Sequence, residues 1–198
     1  VSAEKQQLTL SDSQGSLELN YYPYGSILLD EVFVREYDSV IQLTKATDYA
    51  SALEVIIHRD VKKSCLLKGI HGSGHLEKAQ YFGDSQSVKL EGNNLVLSLG
   101  VHFFSLNLTD FSLNWNLEPD TAEVFEFYDL QGDYLLRGEV EIHRIDTNGN
   151  IKWRFSGTNI WVNMEGKPEV TIKENYIRLL DFNSDEYLID FDGKSMTT

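Results

Sequence analysis

The chain has 198 residues, 41% hydrophobic and 12% aromatic, enough for one well-packed domain. Its 17 Lys and Arg against 31 Asp and Glu give a formal net charge of −14, which argues against nucleic acid and against an anionic membrane surface, since both call for clustered cations. No apolar run reaches the ~20 residues that a membrane-spanning helix needs, and the regular aromatic girdles of an outer-membrane barrel are missing.

The first residues, Val1-Ser2-Ala3-Glu4-Lys5, are polar and form no signal peptide. Leu17 to Tyr21 alternates apolar and polar residues as a half-buried strand does, and Val32 to Arg35 does so in part. Residues 37–52 hold a short helix candidate, opposed by the β-branched Val40, Ile41 and Thr44. Leu53 to His58 reads as a strand. The only cysteine, Cys65, lies in the strand-like Ser64-Cys65-Leu66-Leu67 and reads as a buried structural thiol. A lone cysteine permits no intramolecular disulfide and requires no oxidising compartment, so a cytoplasmic setting is expected.

Leu95 to Leu99, bounded by Gly92-Asn93-Asn94 and Gly100, reads as a fully buried strand. Asn107-Leu108-Thr109 matches a glycosylation acceptor, a match expected by chance at this length. Thr121 to Tyr128 suits a helical turn or a strand. Asn148-Gly149, between Val140–Ile145 and Ile151–Phe155, is the strongest hairpin signal in the chain. Tyr176–Leu180 and Tyr187–Phe191 read as a further hairpin around Asn183-Ser184-Asp185.

The second half repeats. Gly100, Phe104, Leu113 and Trp115 fall without a gap on Gly138, Ile142, Ile151 and Trp153, thirty-eight residues later. The hairpin around Asn183 is a looser third copy without Trp. Repeats of this size with few helix signals imply four-stranded blades. The expected fold is all-β, a propeller-like array of antiparallel sheets forming a small or incomplete β-propeller. Residues 1–198 read as one domain with clear repeats only in 93–194; residues 1–90 form diverged blades or a separate sheet. Trp115 and Trp153 are expected to be buried in equivalent places.

The segment from Gly138-Glu139-Val140-Glu141-Ile142-His143 through Gly149 to Trp153-Arg154-Phe155 resembles the repeats of pyrroloquinoline-quinone-type propellers. Residues 65–193 are also similar to a group of bacterial proteins of about this size. The resemblance implies architecture and carries no functional residues. The quinone enzymes hold a metal and cofactor in a central funnel, but their ligands have no counterpart here, and no cofactor is expected.

His71-Gly72-Ser73-Gly74-His75 is the most enzyme-like string. The flanking glycines argue against a helix that would put both histidines on one face, so a turn or bulge is expected and no metal site. Ser73 is not in a nucleophile elbow. Asp181-x-Asn183-x-Asp185 resembles a calcium loop, but Glu186 stands where Gly is needed. Trp161 follows the repeat between Ile160 and Val162; exposed on an alternating strand, it would be the best anchor for a partner. The sequence therefore favours a non-catalytic interaction domain that binds a basic protein, an immunity-type protein being one instance. The alternative is an enzyme or carbohydrate-binding domain whose pocket uses His71, His75, His102 and aromatic side chains.

Overall fold

The computed structural model describes residues 4–45, 50–77 and 85–196. The first three residues and residues 46–49 of the helix candidate lie outside the described residues.

The first sheet contains β1 (Gln6–Asp12), β2 (Gly15–Tyr22), β3 (Ser39–Gln42), β4 (Ser51–His58) and β5 (Lys62–Ile70) in the order β1-β2-β4-β5-β3. Its edge strand β3 runs parallel to β5. Between β2 and β3 lies a single short helix, α1 (Leu29–Phe33). The second sheet is the meander β6 (Val88–Glu91), β7 (Asn94–Leu99), β8 (His102–Asn107) and β9 (Leu113–Leu117). The third is β10 (Val124–Leu130), β11 (Asp133–Gly138), β12 (Glu141–Ile145) and β13 (Ile151–Ser156). The fourth has three strands, β14 (Val170–Ile172), β15 (Ile177–Leu180) and β16 (Glu186–Ile189), with a bridge from Ile189 to Ser195 beyond them.

This is the all-β, propeller-like array expected, and the ungapped repeat is its second and third sheets. The helix candidate at 37–52 is overturned: β-branched Val40 and Ile41 lie in β3 and the segment continues into β4. The strand expected from Val32 is overturned as well. Val32 and Phe33 close α1, where Leu29 and Val32, three apart, bury one face. The described residues between Gln6 and Ile70 supply a distinct five-stranded sheet.

Alternation along the strands decides the layering, because successive side chains point to opposite faces. Leu95, Leu97, Leu99, Phe104 and Leu106 face the first sheet, where Leu19, Tyr21, Leu53, Val55 and Leu67 meet them. Val96 and Phe103 point the other way, onto Val124, Phe127, Tyr134 and Leu136 of the third sheet. Leu135 and Ile142 turn on to Val170, Ile177, Leu179 and Ile189 of the fourth. On the outer face of the first sheet, Leu29 and Val32 pack on Tyr22, Ala52 and Leu66. Among the described residues the core clusters join the first sheet to the second, the second to the third and the third to the fourth, and none joins the fourth to the first, so the array is open.

Two kinds of contact fasten sheet to sheet. The first is a run of backbone hydrogen bonds that stitches each linker to a turn of the sheets on either side. The amides of Val101, Glu139 and Phe182 donate to the carbonyls of His71, Glu123 and Ile160 at 2.9, 2.8 and 2.9 Å. Those of Val124 and Trp161 donate to Gly100 and Glu139 at 2.8 and 2.7 Å. The second is tryptophan docking. Trp115 of β9 lies against Gly149 in the β12–β13 turn, and its indole N–H donates to Thr147 O at 3.0 Å. Trp153 of β13 lies against Gly193 in the turn after β16, donating to Phe191 O at 2.9 Å.

The two indoles occupy equivalent places, but they are half-buried and not the interior residues expected. Their edge strands expose one indole flank while the other covers a turn. Each turn is prebuilt by its first residue: Asp146 Oδ1 accepts the amides of Asn148 and Asn150, and Asp190 Oδ1 those of Asp192 and Lys194, all at 2.9 Å. The corresponding β8–β9 turn receives a cation in place of an indole, Lys63 Nζ donating to Thr109 O at 3.0 Å.

The docking makes a direct prediction. Gly132 and Gly149 share φ = +82°, but a Cβ on Gly132 meets nothing within 4 Å while one on Gly149 comes within 2.6 Å of Trp115 Cγ. Gly132→Ala should therefore cost only the left-handed backbone penalty, about 1–2 kcal/mol. Gly149→Ala should cost about 2–5 kcal/mol, because overpacking is added. Urea midpoints measure both, and the gap should shrink in a Trp115→Ala background.

Candidate functional site

The third sheet and the connecting segments beside the other three line one cleft of about 410 Å³. The segment after β5 contributes His75 and Glu77, the segment before β6 contributes Gln86, β10 and β11 contribute Phe125, Glu126, Tyr128 and Arg137, and Glu169 precedes β14. The walls are tied together by backbone: Gln86 and Phe127 exchange hydrogen bonds at 2.9 and 2.8 Å, and Ser98 Oγ donates to Phe125 O at 2.8 Å.

Arg137 is the cation of this cleft and it is fully engaged. Its Nε and one terminal nitrogen hold both oxygens of Glu126 at 2.6 and 2.7 Å. The other terminal nitrogen donates to Trp161 O at 2.5 Å. Its guanidinium lies over the Phe125 ring, 4.4 Å from the centroid. Burial works against its charge, but Glu126 and Glu169 outweigh it and raise its pKa further. Burial and the neighbouring Glu126 carboxylate likewise push the Tyr128 phenol far up, so it donates as a neutral group, to Glu126 Oε1 at 3.1 Å. Glu169 Oε1 accepts the Asn163 amide at 2.8 Å and lies 3.9 Å from Arg137. A quinone with its metal does not fit this donor set. The Glu126 and Glu169 carboxylates are taken up by protein donors, and among the described residues no three metal-binding side chains converge.

The three histidines of the expected pocket separate. His75 is exposed at the mouth of the cleft, its Nδ1 3.4 Å from Gln6 Nε2. It also borders an adjoining open groove of about 540 Å³ with Tyr21, Tyr24 and Ser51. His71 turns away to Thr44 Oγ1 at 3.0 Å. His102 is fully buried, 3.8 Å from Glu118. It opens β8 and lies in the packed interior between sheets. Between His71 and His75, Ser73 is clamped by Glu123, which accepts its amide at 2.7 Å and its hydroxyl at 2.5 Å. The loop reading of this string agrees with the structure.

Trp161 is not exposed. It is 0% accessible and packs against Phe155 and Tyr187 between the third and fourth sheets. The segment leaves β13 and folds back under the sheet, so local alternation did not report its side. The calcium-like aspartate, Asp181, is a buried turn-former. Its Oδ1 accepts the amides of Asn183 and Asp185 at 3.0 Å, and its Oδ2 accepts Tyr187 at 3.1 Å. Cys65 is fully buried, and burial pushes its thiol up to about 12, as a structural thiol requires.

A second polar cluster gave no sequence signal. Glu54, 5% accessible on the outer face of the first sheet, accepts Asn20 Nδ2 at 2.9 Å, Tyr22 and Tyr37 hydroxyls at 3.1 Å, and Arg35 at 3.3 Å. Its five members lie on three segments, up to 34 residues apart.

No protein-family model matches the chain, and no curated protein matches it. Two solved structures are similar in shape at 10% identity. One is BamB from Moraxella catarrhalis, with a TM-score of 0.47, covering 100% of this chain and 66% of that one. The other is the AfRom2 CNH domain, with a TM-score of 0.45, covering 99% and 54%. The chain thus spans just under two-thirds and about half the length of these structures. The fold described above rests on the chain's own strand order.

The buried histidines predict a pH dependence. Burial lowers the pKa of both His102 and His143 below the ordinary 6.5, against nearby carboxylates that raise it. Below pH 6.5 the unfolded chain then binds more protons than the folded one, so the stability is complete above that pH and is lost as pH falls through it. Asp133 and Asp146 have lowered values, so their contribution is lost only below their ordinary 3.8. Denaturation midpoints between pH 7.5 and 5.5 should therefore fall, and fall less in His102→Leu.

Proposed function

We propose that this chain is a non-catalytic interaction domain whose ligand is a basic protein. The observation that carries the reading is how the cations are spent. Eight Lys and Arg side chains are already paired with carboxylates of the same chain: residues 35, 59, 89, 137, 144, 152, 167 and 178. The chain has 31 acidic residues against 17 basic ones, and the carboxylates of Asp30, Glu31, Glu36, Glu77 and Glu174 are among those exposed. The cleft follows the same rule, since Arg137 is consumed while Glu77 stands exposed at the opening. An incoming lysine or arginine meets the Glu77 carboxylate at the opening, and a nucleic acid meets the repulsion of the chain's net negative charge.

The bacterial, quinone-type kinship of the repeats belongs to the same proposal, supported by the Gly138–Trp153 segment forming the outer hairpin of the third sheet and its docking edge. So does a cytoplasmic setting, supported by the single buried thiol. A second reading, a small polar ligand, is favoured by one observation: the groove beside His75 is lined by Tyr21, Tyr24 and Ser51.

Opposite-charge steering raises association rates and is screened by salt, the screening length falling from about 10 Å at 0.1 M to about 3 Å at 1 M. The partner recovered by pull-down from the native host should be basic. In stopped-flow its association should slow markedly across that salt range, with dissociation less affected. An acidic partner, or association indifferent to salt, overturns the proposal.

A further inference from the structure

Residues 23–38 form a strap that crosses the outer face of the first sheet and contains α1. Its inner side is anchored. Leu29 and Val32 are buried, the Tyr37 hydroxyl donates to Val32 O at 3.2 Å, and Arg35 and Tyr37 reach the buried Glu54. Its outer side is unusual. Val34 and Ile27 are the two most exposed large hydrophobic side chains described, at 83% and 78%, and Tyr24 and Phe33 are exposed beside them.

Ile27 in the turn before α1 and Val34 at its C-cap flank the helix, and Asp30 and Glu31 lie between them in it; all four are exposed. The strap holds four acidic residues, Asp30, Glu31, Glu36 and Asp38, against a single cation, Arg35. Arg35 is committed to Glu54, and the nearby Lys68 lies over the Phe33 ring at 4.9 Å. Exposed aliphatic groups on an anchored, prebuilt surface bind without a large ordering cost, and acidic residues around them select for a basic rim.

We propose that the exposed outer side of this strap, Ile27, Asp30, Glu31 and Val34, is the docking surface for the basic protein, through an apolar patch edged by lysine or arginine. This rests on the basic-partner reading and adds its location. The strap is also continuous with the cleft: Pro23 and Tyr24 line the groove that His75 shares with it.

Three short peptides test it, one of leucine and lysine, one of lysine and serine, and one of leucine and glutamate, titrated into the isotope-labelled chain by NMR. The leucine–lysine peptide should bind saturably, shifting residues 24–38, and should bind at least about tenfold more tightly than either of the others. Ile27→Ser with Val34→Ser should weaken it by about tenfold or more, and thermal midpoints should show both folds intact. Val61→Ser, at a 67% exposed valine in the β4–β5 turn, should leave binding unchanged.

Equal binding of the two lysine peptides with shifts confined to the cleft would overturn the strap and leave the basic-partner reading standing. Equal binding of the leucine–glutamate peptide would overturn that reading as well as this one. Undiminished binding to the double variant, or no saturable binding, also overturns the strap.

Discussion

The docking of a tryptophan edge on the turn of the next sheet is the interaction on which the rest of this structure depends. A β-sheet with two apolar faces cannot stand alone in water; it must be covered on both sides. In the second and third sheets this is literal, with Val96 and Phe103 pointing one way and Leu95 and Phe104 the other. Sliding of flat layers is resisted only by something directional. Trp115 and Trp153 provide it, each with an indole N–H on a carbonyl and a ring on a glycine. The aspartates at 146 and 190 hold those turns in shape before the ring arrives.

From that stacking come the two surfaces that matter for function. Stitching the linkers at 71, 123 and 160 to neighbouring turns brings the third sheet and the connecting segments beside the other three around one cleft. Arg137 then reaches from β11 to Glu126 on β10 and to the carbonyl of Trp161, so it acts as a buried brace. A cation so placed cannot also attract an anionic ligand. The strap is built by opposite means. Glu54 is a buried carboxylate satisfied by two tyrosines, an asparagine and an arginine, and Arg35 is its counter-charge.

The histidines show why a local string is a poor guide to a site. His71 and His75 are separated by a loop whose Ser73 is clamped by Glu123, fifty residues away, so the two rings diverge. His102 opens β8 and faces the packed interior. Burial there disfavours its charged form and outweighs the nearby Glu118 carboxylate.

The sequence by itself determined the strand content, the repeat and the turns. Period-two alternation, Asn148-Gly149 and the matched Gly and Trp positions are local features whose physics acts within one hairpin. It also determined the charge imbalance, because that is a count. It did not determine which side of a strand meets a neighbour, and so it could not place Trp161, which a backbone reversal after β13 buries under the fourth sheet. Nor could it find α1, whose five residues are too few to carry a period and which forms because Leu29 and Val32 have Tyr22, Ala52 and Leu66 to cover. The cleft and the Glu54 cluster were likewise decided only by tertiary structure. Strand pairing sets Asn20 opposite Glu54 and Glu126 opposite Arg137, and only the folded chain then brings the strap's Arg35 and Tyr37 to Glu54 and Glu169 to Arg137.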